Sequence, residues 1–155
     1  MKKILFSTII LLSGVMLASG FIGNVGCSMK SNNSFNTIET DSLRYHHWVL
    51  KKLNGIEIVK EKAGNEIPSI KFLMKENQLS GNTGCNDVYG KAFISGNEVT
   101  FSEMSMTKMF CSEAEYEMGF VNILFCKKPL KFKIENKNLT IFQENKAVMI
   151  FEKKD

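Results

Sequence analysis

From residue 46 onward, apolar and polar positions alternate in short bursts, and each burst ends in turn-forming residues. In His46-His47-Trp48-Val49-Leu50, Trp48 and Leu50 fall on one side of a strand and Val49 on the other. Asn54-Gly55 then marks a two-residue hairpin, with Ile56-Glu57-Ile58-Val59 as the return strand. Residues 60–67 read as a loop that Pro68 closes, and the next strand puts Ile70, Phe72 and Met74 on one face. Lys75-Glu76-Asn77, Ser95-Gly96-Asn97, Asn136-Lys137-Asn138 and Glu144-Asn145-Lys146 are further turns. Between them lie apolar alternations around Leu79, Val88–Ile94, Val99–Phe101, Leu130–Ile134, Leu139–Phe142 and Ala147–Phe151.

One stretch has a helical period. Tyr116, Phe120, Ile123 and Leu124 form an apolar stripe, widened by Val121 and Phe125. Ser112 with Glu115 three residues on predicts a capping box. Glu113, Glu115 and Glu117 suit the positive end of the dipole, Lys127 and Lys128 the negative end, and Pro129 stops the helix. About eight short strands and one packed helix predict a rolled antiparallel sheet with the helix plugging one side.

The N-terminus follows other rules. Met1-Lys2-Lys3 is a short basic region, Ile4–Leu17 is uncharged and mostly apolar, and small residues follow, as in an export signal. A cut after Ala18-Ser19-Gly20 would leave a free secreted chain. A cut before Cys27 would use Asn24-Val25-Gly26-Cys27, which resembles a bacterial lipoprotein box, with Cys27 as the site of lipid attachment. Asn24 departs from the aliphatic residue usual at that place. An uncleaved anchor is a third reading, since Ile4–Val25 is long enough to span a bilayer. All three put the folded part outside the cytoplasm, and the lipoprotein reading is preferred. The expected division is a signal at 1–26, a flexible tether at 27–43 and a folded domain at 44–155. The tether follows from Ser28-Met29-Lys30-Ser31-Asn32-Asn33-Ser34, which has no apolar period and cannot offset its ordering entropy by burial.

Composition narrows the function. The net charge of +4 includes Lys2 and Lys3, so the remainder is close to neutral, and its signs are interleaved. That argues against nucleic acid as a partner. Twelve Phe and nine Met with two Pro fit a filled core. His46-His47 are adjacent in a strand and point to opposite faces, so they read as strand-entry residues rather than metal ligands. Gly81-Asn82-Thr83-Gly84-Cys85-Asn86 is glycine-rich, but no helix and no Lys-Ser or Lys-Thr follows, which excludes a phosphate-cradling loop. Gly81 and Gly84 instead bracket a place for positive φ or a bulge, and Asn86 suits an Asx turn. No cofactor and no metal are expected.

Four cysteines remain to be placed. With Cys27 lipidated, Cys85 and Cys111 both sit at element ends where two segments can meet, while Cys126 reads as a small buried apolar residue. A Cys85–Cys111 cross-link is favoured. A reactive Cys111 thiol near a helix N-terminus is the alternative, without any His or Asn placed to complete a catalyst. Met104, Met106 and Met109 would either fill the core or line a pocket for a small apolar ligand.

Trp48-Val49-Leu50, Pro68-Ser69-Ile70-Lys71-Phe72, the segment Gly84-Cys85-Asn86 with Gly90, and Thr107-Lys108-Met109-Phe110-Cys111 together resemble the META domain, the HslJ-like family of heat-shock-associated proteins. The resemblance covers roughly 44–155. It implies a small α+β pseudo-barrel, frequent export or lipid anchoring, a disulfide at the positions of Cys85 and Cys111, and no established catalytic activity. It also implies links to stress tolerance without a molecular mechanism. The expected protein is a non-enzymatic envelope module, held to the membrane through a lipid on Cys27. Its partner is an envelope protein or, alternatively, a small apolar ligand carried in the sheet mouth.

Overall fold

Tight turns set the strand spacing. Asn54 and Gly55 (φ 50° and 86°) and Glu144 and Asn145 (φ 50° and 67°) all take the left-handed conformation that matches hairpin twist. In the computed structural model, which describes residues 41–44, 46–73 and 77–154, such turns link nine strands. They are β1 (His47–Leu53), β2 (Ile56–Glu57), β3 (Ser69–Phe72), β4 (Gln78–Asn82), β5 (Asp87–Ser95), β6 (Glu98–Met106), β7 (Leu130–Glu135), β8 (Asn138–Gln143) and β9 (Lys146–Lys154). One helix, α1 (Glu117–Leu124), lies between β6 and β7, and a 3-10 turn at Lys60–Lys62 follows β2. The class is α+β, as the pattern predicts.

Every pairing is antiparallel, in the order β2-β1-β3-β4-β5-β6-β7-β8-β9. Pairing of β1 with β9 closes a ring of β1 and β3–β9, which covers the β9 edge an open sheet would present, while the two-residue β2 pairs with β1 alone. The weak point is β6–β7, joined only at Glu98↔Lys131 and Val99↔Leu130. Inward positions of the strands, among them Trp48, Leu50, Ile70, Leu79, Phe101, Leu139, Ile141 and Phe151, are almost fully buried. Helix α1 adds Phe120, Ile123 and Leu124 to that core. Phe120 meets Phe151 edge to face at 6.2 Å. Each such side chain contributes about 1.5–3 kcal/mol on burial.

Two boundaries differ from the expectation. Leu43 is fully buried, and its carbonyl accepts a 3.0 Å hydrogen bond from Trp48 Nε1. Residues 41–43, placed in the tether by their polarity, therefore belong to the folded part, whose helical turn at 41–44 is pinned by Trp48. The remainder of the predicted tether and the signal, with Cys27, lie outside the described residues. Helix α1 also starts late, at Glu117, with Tyr116 as N-cap and no side-chain cap. The predicted capping box fails because Glu115 and its neighbour Ala114 are engaged elsewhere. Ala114 bridges Ala63, Glu115 N–H donates to Lys62 O at 3.0 Å, and the Glu115 carboxylate pairs with Lys62. Lys127 and Lys128 fall beyond the last turn of the helix.

Candidate functional site

The glycine-rich segment between β4 and β5, the segment after β6 and the start of α1 converge on one side chain, Asn86. It is 1% exposed and uses its full bonding capacity. Its Oδ1 accepts from Thr107 Oγ1 (2.8 Å) and from the Met109 N–H (2.7 Å). Its Nδ2 donates to the Met109 carbonyl (3.2 Å) and to Glu117 Oε1 (2.8 Å). Thr107 Oγ1 in turn accepts from the Asp87 N–H at 3.1 Å. Fully buried Thr83 donates to the same Glu117 oxygen and accepts from the Asn86 N–H at 2.8 Å.

The disulfide joins the same two segments. Cys85 and Cys111 are bonded, with Cα atoms 5.9 Å apart. Cys85 is buried and Cys111 half-buried. A bonded sulfur is not a thiolate, so this state offers no Cys111 nucleophile. Cys126 is free and half-buried just past the helix, not deep in its apolar end as expected.

Gly84 makes the convergence sterically specific. Its φ is +100°, and an added Cβ would lie 2.0 Å from the Ala63 carbonyl oxygen. Its own carbonyl accepts from the Asn65 N–H at 2.8 Å. Gly90 sits where the β5–β6 register shifts between Tyr89 and Lys91, against Met104. The Asx-type bond belongs to Asn82, whose Oδ1 accepts from the Gly84 N–H at 2.6 Å, and not to Asn86. Trp48 lies in β1 and takes no part in this cluster; its bond is to Leu43. Sequence reasoning missed Thr83 and Glu117, whose positions predict a polar turn and a favourable helix-dipole charge but no partner.

What this network displays is apolar. Met109 is 55% and Phe110 93% exposed, on a loop fixed at Thr107 and Met109 by Asn86 and at Cys111 by the disulfide. Met104 and Met106 pack against the core instead, so the three methionines do not line one pocket. Among the described residues no cluster of His, Cys, Asp or Glu is arranged to hold a metal, and no helix is long and apolar enough to cross a membrane.

A family model described as META domain matches residues 41–155. No curated protein matches the chain. A solved NMR structure of a protein aligns with a TM-score of 0.59 at 24% identity, covering 72% of this chain and 92% of its own. An NMR structure of a protein from Burkholderia xenovorans aligns with a TM-score of 0.59 at 19% identity, covering 77% of this chain and 88% of its own. At those identities the likeness shows the fold alone, and neither comparison carries a sign of catalysis.

Proposed function

The chain belongs to the META domain family, and from that premise we propose that it is a non-catalytic envelope module, exported and tethered by a lipid on Cys27, that presents its braced 107–111 loop to a protein partner. The observation that carries the reading is Phe110, 93% exposed on a segment pinned at both ends. An aromatic side chain in water is unfavourable unless it is covered, and one held in place loses little entropy on binding. Large rigid aromatics are also the usual anchors of protein interfaces. Export is supported by the signal pattern and by a disulfide, which persists in oxidising compartments. The split of the three methionines favours this reading over a carrier of small apolar ligands.

Two experiments test it. Fatty-acid labelling of growing cells is expected to mark the wild type and not a Cys27→Ser variant; an unlabelled wild type removes the anchor. A photo-crosslinking residue at position 110 is expected to give a discrete protein adduct in intact cells, whereas one at exposed Phe93 on β5 is not. Identical profiles from the two positions would end the loop proposal.

A further inference from the structure

On the outer face of the barrel, three positively chargeable side chains stand in a row across three strands. His47 on β1 is paired with Lys71 on β3 to one side and with Lys154 on β9 to the other. Directly opposed residues of antiparallel strands share a face, and Trp48, the next residue, is the one that enters the core. His47 also lines a groove of about 460 Å³ that includes Lys60 and Lys153. Like charges placed opposite one another destabilise a sheet. The His47 pKa is held below its ordinary value by burial first, then by Lys154 and Lys71, while Glu66 pulls it up. The remaining carboxylate of the groove, Glu152, is taken by Lys51 at 3.1 Å. Lys60, Lys71 and Lys154 form no ion pair among the described residues.

We propose that this outer face of β1, centred on His47 and flanked by Lys71, Lys154 and Lys60, binds a phosphate group. A second groove joins His47 and Lys71 to Glu66 and Asp87, so Lys60, Lys71, Lys154 and a protonated His47 face two carboxylates and leave an excess of positive charge. A phosphate offers up to two charges and several acceptor oxygens, and ammonium groups bind it as point charges. The bound anion converts cross-strand repulsion into attraction and favours the protonated imidazole. The phosphate belongs either to a free solute or to a lipid headgroup.

The test uses the full-length protein in nonionic detergent, with the His47 ring signals followed by NMR and assigned by a His47→Gln variant. Inorganic phosphate is expected to raise the His47 titration midpoint above its value in chloride of equal ionic strength. Lys71→Gln and Lys154→Gln are each expected to weaken the apparent phosphate affinity about two- to five-fold. Their urea midpoints check that the fold is kept. A second arm reconstitutes wild type and the double variant Lys71→Gln/Lys154→Gln with phosphatidylcholine vesicles, with and without phosphatidylglycerol. A lysine-dependent His47 shift confined to phosphatidylglycerol identifies a headgroup site; a shift with inorganic phosphate alone identifies a solute site. A His47 midpoint indifferent to both probes overturns the proposal.

Discussion

Replacing Asn86 by Ala removes four hydrogen bonds at once. Three are to neutral groups and one is to the Glu117 carboxylate. Neutral bonds contribute about 1 kcal/mol each and one to a charged group about 1.5–3 kcal/mol, so the full sum is near 5 kcal/mol. Glu117 and the loop at Met109 border solvent, and water will satisfy part of what is exposed. The expected cost is therefore about 3–5 kcal/mol, a large share of an ordinary domain's stability. Asn86→Asp separates hydrogen bonding from volume. It keeps both acceptor contacts but turns two donors into acceptors, one facing a carbonyl and one facing Glu117. Burial and the like charge raise the introduced carboxyl's folded-state pKa above its unfolded value. The sign follows: the introduced carboxyl, which must stay protonated or be buried charged, disfavours folding more as pH rises from its unfolded value towards its folded one, and the penalty fades as pH falls. At pH 7 Asn86→Asp is expected to cost at least as much as Asn86→Ala. By about pH 4.5 it is expected to be the more stable of the two, because a protonated carboxyl can donate to Glu117. Urea unfolding followed by fluorescence of Trp48, the single tryptophan, reads both. An Asn86→Ala cost below about 1.5 kcal/mol would refute the network as the brace of this loop.

Other expectations are simpler. Reduction of the disulfide, or Cys85→Ala with Cys111→Ala, should lower stability by about 3.5 kcal/mol through chain entropy, checked by urea midpoints with and without reductant. Gly84→Ala should cost about 2–4 kcal/mol through positive φ and the Ala63 oxygen, whereas Gly96→Asn, at φ +59° with open space around it, should fall within about 0.5 kcal/mol of wild type. Phe110→Ala should also stay within about 0.5 kcal/mol, while Phe120→Ala in the core should cost about 3–5 kcal/mol; thermal melts distinguish them. Because the His47 pKa is lowered on folding, the unfolded chain binds more protons between the two values, so stability from this group falls as pH drops below about 6.5. His47→Gln should flatten that part of the profile relative to wild type.

The strands and turns are legible in the sequence because their determinants are local. Asn54-Gly55 specifies its hairpin by backbone preference, and alternation places Trp48, Ile70 and Leu139 inward without knowledge of neighbours. The disulfide is legible from its position at element ends and from family resemblance. What escapes the sequence is non-local. Ser112 and Glu115 have the chemistry of a cap, but the Ala63–Ala114 bridge holds that segment out of helical geometry. Asn86 suits a local turn, yet its amide reaches Met109 and Glu117, far along the chain. Leu43 reads as part of a tether because a lone apolar residue in polar surroundings carries no period; its partner is the Trp48 ring.

Closure of the ring by β1 and β9 has a consequence for how the molecule is made. Synthesis delivers β1 well before β9, so the seam stays open until residues 146–154 emerge. A product truncated before residue 146 would keep two unpaired margins and a hole where Val148, Met149 and Phe151 belong, inviting association with its own copies. Strand β9 thus acts as a check that each newly made barrel has been carried through to its closing strand.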